Sequence, residues 1–97
     1  MPSQNTIIKA VCTAFKITHK QLLSPSHKRL LFYARVIAAH MLHTHLDLSS
    51  TRVGMILNRD HATVLYYYKT FEIWIERAWL HQEPLIYYVQ VDDLLNT

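Results

Sequence analysis

The chain holds a single glycine, Gly54, in 97 residues, and its three prolines stand at Pro2, Pro25 and Pro84. Tight connections between strands call for left-handed backbone, which glycine adopts at least cost. A many-stranded protein is therefore a poor fit, and helices joined by short links are the expected architecture. Half of the residues are apolar, enough to supply one small domain with a common core. Cys12 is the lone cysteine, so neither a disulfide framework nor a Cys-Cys zinc pair is available, and a reducing compartment is the simplest home. No apolar run approaches the ~18 residues of a membrane span, and the N-terminus lacks the apolar centre of a signal peptide. The expectation is a cytoplasmic, all-α chain with no membrane partner.

Apolar spacing divides the chain into helices. Ile7, Val11, Ala14 and Phe15 recur at helical intervals behind Ser3, predicting a first helix over about residues 4–16. Thr18 followed three residues later by Gln21 has the form of a capping box, opening a short turn that carries Leu22 and Leu23 inward. "SPSHKR" at 24–29 reads as a loop, because Ser24 precedes a proline and is biased away from helical backbone. A helix over about 27–44 follows, with Leu30, Ala34, Ile37, Ala38 and Met41 facing the core and His27, Lys28 and Arg29 exposed at its start. The segment after Pro84, "LIYYVQVDDLLNT", fits a short strand or a final helix. Residues 1–83 are thus expected to form the domain and 84–97 a tail, packed or irregular.

The segment "LSSTRVGMILNRDHATVLYYYK" carries the functional signal. Ser49 is placed to cap a short helix ending near Leu57, with Val53, Ile56 and Leu57 inward. Asp60 is placed to cap the next by accepting from backbone N–H groups two or three residues on. In that second helix Val64, Tyr68, Phe71, Ile75 and Ala78 or Trp79 form the expected buried stripe. Arg59, Asp60, His61, Ala62 and Thr63 precede the first buried residue, an order that no core requires. A short helix, a brief turn and a second helix with a polar start make a helix-turn-helix, which offers the second helix's N-terminal end to the DNA major groove. Charge agrees by position. Residues 1–60 hold eight Lys and Arg against two Asp, net +6, while residues 61–97 hold two against five acids, net −3, making the overall +3. A basic body with an acidic end suits a polyanion at one end only.

With "RDHATV" at 59–64, "VGMILN" before it, "LLS" at 22–24 and "ARVIAAHML" at 34–42, the chain resembles the C-terminal DNA-binding domain, domain IV, of the bacterial replication initiator DnaA. The resemblance covers roughly residues 5–75, and its implied fold is a small multi-helix domain containing a helix-turn-helix, akin to that of Trp repressor. It implies double-stranded DNA as partner, read at a short box by the recognition helix in the major groove and by a basic loop in the adjacent minor groove. Carried onto matching positions, Arg59, Asp60, His61, Ala62 and Thr63 become the base-reading candidates. His27, Lys28, Arg29, Arg35 and Arg52 become the backbone or minor-groove candidates. The side-chain chemistry is apt: Asp accepts from a cytosine amine, His and Arg meet purine acceptors or phosphate, and Thr joins a hydroxyl to a methyl that suits thymine. Three departures stand out. Ala62 replaces the first threonine of the family's Arg-Asp-His-Thr-Thr-Val, the turn before Arg59 is one residue shorter, and His27 stands opposite the arginine that enters the minor groove. The last weakens binding unless Lys28 or Arg29 takes its place.

No G-x-x-x-x-G-K-[ST] loop is present, so no nucleotide partner is expected and the chain is not expected to be a complete initiator. A box-binding protein without an ATPase module would act as an accessory or regulator of replication or transcription, as in a phage or mobile element. Metal, cofactor and catalytic roles are not expected. His40 and His43 share a helix face, but His45 lies on another, and solvated histidines are the simpler reading. Asp60 and His61 are neighbours on a helix and do not face each other, and no serine or cysteine stands at nucleophile spacing. Of the aromatic residues, Tyr66, Tyr67 and Trp74 are expected off the buried stripe, free to cover the C-terminal segment. A homodimer or protein contact through that segment is the alternative function, with the fold kept and DNA recognition lost.

Overall fold

In the computed structural model, which describes residues 2–97, six α-helices follow one another: α1 Gln4–Phe15, α2 His19–Leu23, α3 Arg29–Leu46, α4 Ser50–Leu57, α5 His61–Glu76 and α6 Gln82–Leu95. A single 3-10 turn, Ala78–Leu80, joins the last two, and no strand occurs among the described residues. Local side chains set several of the starts. Ser3 Oγ accepts from the Thr6 N–H at 3.2 Å, and Ser49 Oγ from the Arg52 N–H at 3.2 Å. Thr18 and Gln21 form a reciprocal capping box, each accepting the other's backbone N–H, at 3.1 and 2.8 Å. Three helices end on left-handed residues that are not glycine: Lys16, Asp47 and Asn58, with φ of 55°, 54° and 58°. Left-handed backbone costs a non-glycine residue roughly 1–2 kcal/mol, least for Asn and Asp. Gly54 is not among them; it serves another purpose, described below.

The centre of the domain is α3, which packs against α1, α4 and α5, while α6 lies along α1. Ile7 and Val11 of α1, Ile37, Met41 and Leu42 of α3, Leu57 of α4, Val64 of α5 and Val91 of α6 are fully buried together. Because α3 is covered on several sides, its buried surface is broader than one stripe: Leu31, Val36, Ala39 and Leu42 join Ala34, Ile37, Ala38 and Met41, while Leu30 is only half-buried. The helix begins at Arg29 and runs to Leu46, two residues later at each end than expected.

The register of α5 also differs from expectation. Its buried residues are Val64, Tyr67, Phe71 and Trp74; Tyr68 is half-buried, and Ile75 and Trp79 are 52% and 67% exposed. Both stripes fit a helical period, and the aromatic residues of α3 decide between them. Tyr33 meets the Trp74 ring edge-on with centroids 5.4 Å apart, and Phe32 meets Tyr67 at 5.9 Å. The segment around Pro84 is helical, with Pro84 in the first turn, where its missing N–H breaks no helical bond. Tyr87 stacks on Phe15 of α1 at 4.2 Å and Tyr88 meets Phe71 of α5 at 5.0 Å, fixing α6 to the domain. No described helix is long and apolar enough to cross a membrane.

Candidate nucleic-acid interface

The turn between α4 and α5 is built on close backbone approach. Asn58 caps α4 in the left-handed region, and the next N–H, from Arg59, returns to the Gly54 carbonyl at 2.8 Å. A β-carbon at Gly54 would collide with the Arg59 carbonyl oxygen. The glycine is therefore required for space, not for an unusual φ. Two residues later α5 starts: the Asp60 carboxylate accepts the Thr63 N–H at 2.7 Å. That bond holds the Asp60 carboxyl below its ordinary pKa, with the Thr63 side chain and the nearby His61 acting in the same direction.

This cap leaves His61 and Ala62 exposed and Thr63 half-buried, and Val64 is the first residue of α5 to enter the core. His61 and Asp60 line a shallow depression with Thr51, Gly54, Met55, Asn58 and Arg59. Beside it, His27 and Pro25 share a second depression with Asn58 and Arg59. The α2–α3 loop and the start of α5 are thus neighbours, joined through Asn58 and Arg59. Lys28 and Arg52 are exposed and neither has an ion-pair partner among the described residues. Thr51 and Met55, which sequence reasoning left out, share this surface, and Met55 is 73% exposed. Their signal was their i, i+4 spacing on the side of α4 away from Val53 and Leu57.

Two of the expected contact residues point elsewhere. Arg35 is 2% exposed, so it is not available to a phosphate. Its guanidinium donates to four carbonyl oxygens at the end of α2 and in the following loop: Leu22 from Nε at 2.8 Å, Ser26 at 2.6 Å, Ser24 at 2.7 Å and Gln21 at 3.3 Å. Burial, and then the charge of Arg59, lowers its pKa from the ordinary value. Arg59 likewise turns inward: it donates to Ser24 O at 2.6 Å, Asn58 O at 2.9 Å, Leu57 O at 3.4 Å and Leu23 O at 3.5 Å. Neither is free to read a base in this conformation. Arg29 is exposed but engaged, with Nε 3.0 Å from an oxygen of Glu83 in α6. Of the two cations offered in place of the minor-groove arginine, Lys28 is the unpaired one.

The histidines of α3 also depart from simple solvation. The His40 ring stacks on Phe71 with centroids 3.7 Å apart and meets the edge of Tyr88. Burial, with His45 and His43 adding positive charge nearby, pushes its pKa down to about 4. His43 is exposed, with Nδ1 3.1 Å from the Leu48 carbonyl.

A helical core carrying a short helix, a tight turn and a capped second helix with an exposed start defines a DNA-binding helix-turn-helix domain. The chain belongs to the bacterial DnaA protein helix-turn-helix family, whose model matches residues 4–70. It is 38% identical over 65 residues to the chromosomal replication initiator protein DnaA of Bacteroides fragilis, a match covering 66% of this chain and 14% of that protein. It is 38% identical over 61 residues to the protein of the same name from Oleidesulfovibrio alaskensis, covering 63% and 13%. With DnaA 2 of Chlamydia pneumoniae it shares 36% over 70 residues, 72% of this chain and 16% of the relative. The chain therefore spans a small fraction of the length of these relatives.

Proposed function

We propose that this protein binds double-stranded DNA in a sequence-specific way, at a site like the boxes of the replication initiator. The observation that carries the reading is the exposed start of α5: the Asp60 cap holds His61 and Ala62 outside the core beside the loop bearing His27 and Lys28. His61, Ala62 and Thr63 read base edges in the major groove, with Asp60 close enough to contribute through its second oxygen. Lys28, with His27, approaches the minor groove, and Arg52 and Arg29 neutralise phosphate. Occupancy of such a box suits an accessory or regulator of replication or transcription, acting in the cytoplasm.

Fluorescence-anisotropy titration of a duplex carrying an initiator-type box and of a scrambled duplex, at two salt concentrations, tests this. About tenfold or tighter binding to the box, surviving the higher salt, is the expected result. Equal, weak binding that salt removes from both would refute it.

A second reading rests on a separate observation. Ala78, Gln82, Leu85, Ile86, Val89 and Gln90 line an uncharged apolar depression on α6, outside the family match, with Trp79 and Leu80 exposed close by in the chain. The lining carries no charged side chain, so a second copy meeting it about a twofold axis is the occupant it fits. Sedimentation equilibrium of the wild type and of Val89→Lys separates a dimer from a monomer.

A further inference from the structure

α2 is only five residues long, and a helix that short leaves nearly all of its C-terminal carbonyls without helical partners. The loop after it supplies few donors, since Pro25 has no N–H. The Gln21 carbonyl takes the Ser24 N–H at 3.2 Å and the Ser24 hydroxyl at 2.7 Å, but those of residues 22–24 and of Ser26 are satisfied by two guanidinium groups. Arg35 reaches Gln21, Leu22, Ser24 and Ser26, and Arg59 reaches Leu23 and Ser24. Asn58 adds its Nδ2 to the Leu23 carbonyl at 3.4 Å. A lysine could not do this, because one ammonium cannot span carbonyls facing several directions, whereas the planar fork of arginine can. Converging carbonyl dipoles also offset the repulsion of two like charges held so close together.

The placement of Arg59 in the chain gives this arrangement a use. It lies between Asn58, which ends α4, and Asp60, which starts α5, so its backbone belongs to the helix-turn-helix while its side chain belongs to the α2–α3 loop. We infer that Arg59, with Arg35 beneath it, is a positioning residue that sets the separation between the start of α5 and the loop bearing His27 and Lys28. It does so through the Ser24 carbonyl, and it is not itself a base-reading residue. His61 follows Arg59 by two residues, and His27 follows Ser26, whose carbonyl Arg35 holds at 2.6 Å. A rigid spacing between the two elements lets one fit the major groove while the other meets the adjacent minor groove, with the geometry settled before DNA arrives. The functional part of this inference rests on the DNA-binding reading above; the clamp on the loop does not.

The test has two arms, both on the full chain. In the first, backbone 15N relaxation and amide exchange are measured without DNA for the wild type, Arg59→Ala and Arg59→Lys. Loss of order across residues 22–28, with α1 and α6 unchanged and Arg59→Lys intermediate, is expected; loop amides as ordered as in the wild type in both variants overturn the clamp. In the second arm, Lys28→Ala and Arg52→Ala are combined with each Arg59 variant and titrated against the initiator-type duplex. Lys28→Ala should cost about fivefold or more in the wild-type background and under about twofold without the clamp, while the Arg52→Ala loss stays the same in both. Additive losses for Arg59 and Lys28 mean that Arg59 touches DNA directly, and the inference fails. If Arg59→Ala does not fold, Arg59→Lys carries both arms. A wild type with no preference for the box removes the DNA reading and leaves the first arm to decide the clamp.

Discussion

The guanidinium groups of Arg35 and Arg59 converge on one acceptor, the Ser24 carbonyl oxygen, from 2.7 and 2.6 Å. Arg35 is the more deeply buried of the two and the one with more at stake for stability. Its removal strands the Leu22 and Ser26 carbonyls, each now bonded at 2.8 Å or less, and an unsatisfied buried acceptor costs ~1–3 kcal/mol. Arg35→Ala should therefore lower the unfolding free energy by about 2–4 kcal/mol in urea titration. Arg35→Lys should recover less than half of the loss. Full recovery by lysine would mean that the charge matters and the fork does not.

Gly54→Ala sets two effects against each other. Alanine favours a helix interior by ~1 kcal/mol over glycine, but its β-carbon would meet the Arg59 carbonyl oxygen, a backbone atom that moves only if the whole turn moves. The collision should prevail, for a net loss of about 1–3 kcal/mol. Thr51→Ala, on the exposed side of the same helix, should stay within about 0.5 kcal/mol. Thermal unfolding of both variants makes the comparison, and a stabilised Gly54→Ala would show that the turn yields easily.

How far this could be read from residues alone depended on the range of the interaction. Ser3, Thr18 with Gln21, Ser49 and Asp60 all cap helices as expected, because a cap spans three residues and its chemistry is complete within them. The register of α5 was not legible. Tyr66, Tyr67 and Tyr68 offer an aromatic residue to either stripe, and the choice lies with Phe32 and Tyr33, more than thirty residues earlier. The sequence cannot separate Arg35 and Arg59 from DNA contacts, because an arginine tied to carbonyls and one awaiting phosphate are identical in sequence. The residues after Pro84 leave strand and helix open; the segment is the helix, which a proline in its first turn permits. Gly54 stands out in the sequence as the only glycine, whereas the Arg59 carbonyl that demands it is visible only in the folded turn.

Glu83 holds one of the cations proposed to meet phosphate. Its ion pair with Arg29 is exposed, with 66% and 48% of the two side chains accessible, so its value to stability is small. Its effect on binding is larger in proportion, since DNA must compete for Arg29. Glu83→Gln should raise affinity for duplex by about two- to threefold and steepen the salt dependence, while the unfolding free energy changes by less than ~1 kcal/mol. Unchanged binding would mean that Arg29 lies outside the DNA contact.

His40 makes stability depend on pH in a defined direction. Burial between Phe71 and Tyr88, followed by the charges of His45 and His43, holds its pKa at about 4 against an ordinary 6.5. Glu72 and Glu76 line the same cleft. Above pH 6.5 the ring is neutral in both folded and unfolded chains, and its contribution is complete. As pH falls from 6.5 towards 4 the unfolded chain takes up a proton that the folded one refuses, so stability drops, levelling off below 4. The whole shift corresponds to roughly 3 kcal/mol, and partial exposure of the ring reduces it to about 1–2 kcal/mol. Urea titrations of wild type and His40→Phe at several pH values isolate the term. Parallel curves for the two proteins between pH 4 and 7 would contradict it.

His61 and Lys28 should divide recognition between them. His61 stands exposed at the start of α5, and Lys28 is an unpaired cation on the adjacent loop. A base contact contributes only where the matching base is present, whereas a phosphate contact contributes on any duplex. His61→Ala should therefore reduce the difference between box and scrambled duplex by ~1–3 kcal/mol, with little change in the salt slope. Lys28→Ala should weaken both duplexes together and lower the slope by about one unit, because one fewer counterion is released. Competition titrations at three salt concentrations read both quantities from the same samples. Equal losses from the two substitutions on both duplexes would show that neither side chain reads sequence, and the preference of the domain would then have to come from Thr63, Ala62 or the shape of the DNA itself.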